Sequence, residues 1–91
     1  KYIKVENGDG VSYTVPQRIN ANNTDKTCEI FFRVRGIYKN VKIAVDTSDG
    51  KRIASFKREH MAPGEMEKIA LPPQILNQAK DKIKIYIENQ Q

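Results

Sequence analysis

Between Cys28 and Arg35 the chain alternates without interruption. Cys28, Ile30, Phe32 and Val34 fall on one side of an extended backbone, and Glu29, Phe31, Arg33 and Arg35 on the other. Successive side chains of a strand point to opposite faces, so this run has one apolar face and one mostly polar face. Such a strand needs sheet neighbours, and its apolar face needs a second layer to cover it.

The same period of two recurs along the chain. Tyr2–Glu6 alternates and meets Asn7-Gly8-Asp9-Gly10, a turn signal read as a hairpin turn. Val11–Val15 is β-branched and aromatic, and stops at Pro16, which has no N–H to give to a ladder. Asn20–Asp25 is a polar loop, and Gly36–Asn40 turns the chain into Val41–Val45, where Val41, Ile43 and Val45 form the next apolar stripe. Ser48-Asp49-Gly50 is a tight connection to Lys51–Arg58, in which Ile53 and Phe56 are out of phase, so a bulge is expected near Ala54-Ser55. Ala62-Pro63-Gly64 turns the chain into a strand carrying Met66, Ile69 and Leu71, which ends at Pro72-Pro73. Ile75, Leu76 and Ala79 have near-helical spacing, predicting one short helix near 74–80 that crosses between sheets. The last strand places Ile83, Ile85 and Ile87 inward and Lys82, Lys84, Tyr86 and Glu88 outward.

About seven short strands in 91 residues, with no helix long enough to cover a sheet, predict an all-β, immunoglobulin-like or fibronectin-like antiparallel sandwich. The Cys…Trp…Cys signature of antibody domains is absent, since there is no Trp and one Cys. The length suits one core, so residues 1–91 form a single domain. Phe32, Val34, Ile43, Val45, Ile85 and Ile87 are expected to be buried in it. The chain opens at Lys1 with strand pattern already under way, which gives the expectation of a piece excised from a longer polypeptide. No apolar run approaches the roughly 20 residues of a membrane span. Cys28 cannot form an internal disulfide, which points to a reducing, cytoplasmic setting, and its place in the alternation predicts a buried, inert thiol.

Chemistry-bearing patterns are sparse. One His and one Cys give no zinc spacing, and the scattered acids make no calcium loop. Cys28 and His60 are the only conceivable thiol–imidazole pair, but Cys28 belongs to an inward face and His60 to a polar turn region. Gly8-x-Gly10 lacks the third glycine and the following helix of a phosphate-binding loop. No catalytic, cofactor-binding or metal-binding residue is therefore assigned. Charge is the remaining feature: the chain carries +5, and Arg33–Arg58 alone carries a net +6. Adjacent strands are expected to gather Arg33, Arg35, Lys42, Arg52 and Arg58 into a basic face suited to an acidic partner, with a solvated, edge-guarding face as the plain reading. Nucleic acid is the weaker alternative, because only Phe31, Tyr38 and Tyr86 offer stacking surfaces.

Three blocks carry a family resemblance: Val15-Pro16-Gln17-Arg18-Ile19; Ile30-Phe31-Phe32-Arg33-Val34 with Tyr38-Lys39-Asn40-Val41-Lys42-Ile43; and Pro63-Gly64-Glu65-Met66-Glu67. Together they resemble the C-terminal β domain of clostridial FAD-dependent pyridine nucleotide-disulfide oxidoreductases, over about Val11 to Glu88. The resemblance implies FAD and NAD(P) in a preceding catalytic core, and none in this domain. It implies a non-catalytic accessory role at the C-terminus of a cytoplasmic enzyme: docking on that core, contact between subunits, or presentation of a surface to a redox partner. A different class, an immunoglobulin-like spacer or adhesion module of a secreted multidomain protein, remains open, as does a basic nucleic-acid-binding module.

Overall fold

The computed structural model describes residues 2–20 and 25–89. Among these residues eight strands form two sheets: β1 (Tyr2–Asn7), β2 (Val11–Val15), β3 (Arg18–Asn20), β4 (Cys28–Val34), β5 (Tyr38–Thr47), β6 (Arg52–Met61), β7 (Glu67–Leu71) and β8 (Lys82–Asn89), with a helix α1 (Pro73–Leu76) between the last two. The larger sheet runs β3-β1-β8-β5-β6 and the smaller β2-β4-β7. The chain is thus all-β, and its two sheets are compatible with the expected immunoglobulin-like sandwich.

One core fills the space between the sheets. Ile3, Val5, Val41, Ile43, Val45, Ile83 and Ile85 come from the larger sheet, and Val11, Ile30, Phe32, Val34, Ile69 and Leu71 from the smaller. Leu76 of α1 joins them. Burial of these side chains is the main favourable term in the fold. Among the described residues, no buried side-chain N or O atom lacks a hydrogen-bond partner.

The structure departs from the sequence expectations at several points. An eighth strand, β3, lies just before the expected polar loop, whose residues 21–24 fall outside the described residues. The sandwich is not wholly antiparallel, because β1 and β8 pair in parallel from Lys4↔Lys82 to Asn7↔Ile85. Asn7–Gly10 is no hairpin turn: it carries the chain from the larger sheet to the smaller, while β1 pairs with β3 and β8. The backbone amide of Gly8 donates to Ile85 and that of Ile87 to Asp9, at 2.7 and 2.9 Å, so the turn runs on along β8. Gly10 sits there with φ +84°, where a Cβ would meet Ile87 Cγ1 at 2.8 Å, so both backbone and space require glycine.

Six of the seven connections in the described fold switch sheets, and only β5–β6 is a hairpin between sequential strands. Its turn is the expected one: the Gly50 amide donates to the Thr47 carbonyl at 3.0 Å, with φ +88° at Gly50. The bulge expected near Ala54-Ser55 is present on β6 and falls at the adjacent Ile53. Val45 opposes Ala54 and Asp46 opposes Arg52, leaving Ile53 as the extra residue, so it turns inward. β5 begins at Tyr38, inside the expected turn, and β6 continues to Met61, which places His60 in a strand opposite Lys39. The helix is shorter and earlier than expected, at Pro73–Leu76, and connects the smaller sheet to the larger as anticipated. Ile87 is only half-buried, because β1 flanks β8 no further than Ile85. The other five residues expected in the core are buried.

Candidate docking face

The two sheets present different outer faces. On the larger sheet, Lys42, Asp46, Arg52, Tyr86 and Glu88 interlock. Asp46 accepts from Arg52 Nε at 2.6 Å and from the Tyr86 hydroxyl at 2.7 Å, while Arg52 Nη2 reaches Glu88 at 2.9 Å and the Tyr86 hydroxyl at 3.0 Å. Lys42 stands 3.8 Å from the same Glu88 carboxylate. The Arg52 guanidinium and the Lys84 ammonium both lie near the Tyr86 ring, at 5.9 and 5.8 Å from its centroid. Ala44, on this outer face by alternation and opposite Tyr86, is fully buried.

These contacts set the local titrations. The hydrogen bonds that Arg52 donates to Glu88 and then to Asp46 push Arg52 up, and Arg52 in turn holds the Glu88 carboxyl below its ordinary range. Tyr86 is raised, first because Asp46 accepts its hydroxyl proton and second by burial.

The five residues expected to form one basic face are therefore divided. Lys42 and Arg52 belong to this paired cluster on the larger sheet. Arg58 leaves β6 for the smaller sheet, where its Nε donates to Glu67 at 3.1 Å and its Nη2 to the Lys68 carbonyl at 3.2 Å. It thereby occupies the free edge of β7 and ties the two sheets together. Arg33 belongs to β4 of the smaller sheet and Arg35 follows directly after it; Arg33 Nη1 donates to the Pro63 carbonyl at 3.3 Å and Arg35 Nε to the Val11 carbonyl at 3.2 Å.

The outer face of the smaller sheet gathers several exposed apolar groups, while Ile37 and Tyr2, 70% and 57% exposed, stand in the β4–β5 connection and on β1. Register places Val15, Phe31 and Lys68 in one row across β2, β4 and β7, and Tyr13 beside Arg33 in the next. Tyr13, Val15 and Phe31 are 40%, 52% and 36% exposed, and Met66, just before β7, is 47% exposed. A bulge between Val11 and Tyr13 shifts the phase of β2, so that Val11 and Thr14 point inward and Tyr13 and Val15 outward. Glu29 and Lys68 pair at 3.3 Å on the rim, while Arg33 and the neighbouring Arg35 have no ion pair among the described residues. Contiguous exposed apolar groups with a polar rim are the usual mark of a contact surface. The outward-pointing Phe31 was readable from alternation; Tyr13, Val15 and Met66 were not, because the bulge and the cross-strand register are non-local.

Cys28 is half-buried rather than buried. It opens β4 opposite Leu71, packs against the core, and borders a cleft of about 430 Å³ with Pro16, Ile19 and Lys26. Burial, and secondarily the Glu29 carboxylate, pushes its thiol up, away from the reactive thiolate. His60 is exposed on β6 and 3.8 Å from Glu65, on a different sheet from Cys28. Among the described residues no three His, Cys, Asp or Glu cluster as metal ligands, and no helix is long and apolar enough to cross a membrane. The chain matches no protein-family model, no curated protein and no solved structure in the comparisons.

Proposed function

We propose that this chain is a non-catalytic docking domain whose outer β2-β4-β7 face covers the surface of a protein partner. The observation that carries the reading is the exposed row of Val15 and Phe31 with Tyr13 and Met66 around it, on a sheet whose opposite face is fully engaged in the core. Aromatic and methionine side chains are favoured at contact surfaces, and the two rim arginines suit an acidic border on the partner. The family resemblance gives the occupant: the FAD- and NAD(P)-binding core of a cytoplasmic pyridine nucleotide-disulfide oxidoreductase, with this domain following it and supporting docking or subunit contact.

Phe31→Ser and Val15→Ser remove the apolar row without touching the core. The test is size-exclusion chromatography of the domain mixed with such a flavoprotein core, alongside thermal melts of each variant. Co-elution that both variants lose, with melting temperatures close to that of the parent, supports the reading. Co-elution unaffected by either substitution moves the contact to another face, and no co-elution of the unmodified domain overturns the docking role.

A further inference from the structure

Charge on the larger sheet is balanced around Arg52 and unbalanced at the opposite end. Lys4 of β1 is the register partner of Arg18 on β3 and of Lys82 on β8, so three cations stand abreast on one face across three strands. Adjacent strands lie about 4.8 Å apart, which packs this row into roughly 10 Å. Like charges directly opposite each other on a sheet are destabilising. Lys82 is relieved by Glu6 at 3.6 Å. Lys4 and Arg18 are exposed, and neither has an ion pair among the described residues.

Both border a cleft of about 270 Å³ where the chain passes from β2 to β3, lined also by Glu6, Tyr13 and Gln17. Lys4 and Arg18 thus form the cationic part of its wall, which Tyr13 and Gln17 also line, two residues whose side-chain polar groups no described group engages. The Asn7 amide, also in the wall, is committed to the Val11 and Ser12 carbonyls at 3.1 and 3.2 Å. The one carboxylate, Glu6, is drawn towards Lys82.

We propose that this cleft is a binding site for a small polyphosphate anion, held between Arg18 and Lys4 with Gln17 and Tyr13 as secondary donors. The guanidinium fork matches two phosphate oxygens, and a second cation about one strand spacing away matches a second phosphoryl group rather than a single carboxylate. The site shares Tyr13 with the outer β2-β4-β7 face but uses neither Val15 nor Phe31, so the Val15→Ser and Phe31→Ser variants that test docking leave it intact.

Inorganic pyrophosphate titrated into the 91-residue chain in low-salt buffer, followed by amide NMR shifts, tests the assignment. Saturable shifts are expected at Lys4, Tyr13, Gln17 and Arg18, with affinity lowered about five- to tenfold by Lys4→Gln or Arg18→Gln and unchanged by Lys57→Gln. Without the anion both cleft variants should melt at or above the parent temperature, because each relieves repulsion. Pyrophosphate should raise the melting temperature of the parent and leave that of the double variant where it is. Absent or non-saturating shifts overturn the proposal, as does a loss of several degrees in the anion-free variants, which would make the row structural. Citrate binding as tightly as pyrophosphate overturns the phosphate assignment in favour of a general polyanion patch.

Discussion

Replacing Asp46 by Ala removes the group on which the outer cluster of the larger sheet converges. Its side chain is 16% exposed and accepts both Arg52 Nε at 2.6 Å and the Tyr86 hydroxyl at 2.7 Å. Hydrogen bonds to a charged group are worth about 1.5–3 kcal/mol each. The full value does not apply here, because Arg52 is a third exposed, keeps Glu88 at 2.9 Å, and can be rehydrated. Halving the pair for that screening leaves a loss of about 1.5–3 kcal/mol, or roughly 6–24 °C in melting temperature for a domain of this size. Urea denaturation gives the free energy directly, and a cycle with Arg52→Met should return a coupling of about 1 kcal/mol or more between the two. Glu88→Gln, at an open position, should shift the midpoint far less. An Asp46→Ala midpoint indistinguishable from that of the parent would refute the cluster as a structural device and return Arg52 to the pool of charges available to a partner.

Other outcomes follow from burial and titration. Phe32→Ala should cost about 3–4 kcal/mol, whereas Ile87→Ala, half-buried where β1 has ended, should cost about 1 kcal/mol; equal losses in urea melts would contradict the difference in packing. The Cys28 thiol should react with a disulfide reagent more slowly in the folded chain than in urea at pH 7.5, the folded rate still climbing as pH passes the ordinary value of 9.0, and equal rates would place it in open solvent. Tyr86 is raised above its ordinary 10.0, so the stability it contributes is complete below that pH and falls as pH rises through its folded value. Glu88 is lowered from 4.5, so its contribution is present above that pH and is lost as pH falls through the folded value. Urea midpoints should therefore decline on both the acid and the alkaline side, and Tyr86→Phe should flatten the alkaline limb.

Alternation made β4, β5 and β8 legible, because each is long enough to show an apolar stripe and each lies against the core along most of its length. β3 escaped notice for the opposite reason: three residues with one apolar position, Ile19, carry no period. The parallel β1–β8 pair was hidden because the two strands stand at opposite ends of the sequence and nothing local encodes their direction. At β6 the broken alternation of Ile53 and Phe56 did reveal a bulge, but its position depends on which residue opposes Val45, which only the partner strand decides. The Asp49-Gly50 turn needed no partner strand; positive φ at glycine is local chemistry and was read directly.

The basic residues show why charge is harder to place than apolarity. A run from Arg33 to Arg58 is rich in cations, yet Glu67 and Glu88, which engage three of them (Lys42, Arg52 and Arg58), lie beyond it in sequence. Counting charge in a window therefore overstated what those strands offer to a partner. Lys4, Arg18 and Lys82 raise no signal in any window, because they are spread over almost the whole chain, and only the β3-β1-β8 register puts them abreast. An apolar residue is driven inward wherever its strand lies, so a local pattern suffices to place it. The field around an ion depends on its neighbours across the sheet, and those are set by topology. On this molecule that distinction moves the expected binding charge from the paired cluster at Arg52 to Lys4 and Arg18 beside the cleft, which have no ion pair among the described residues.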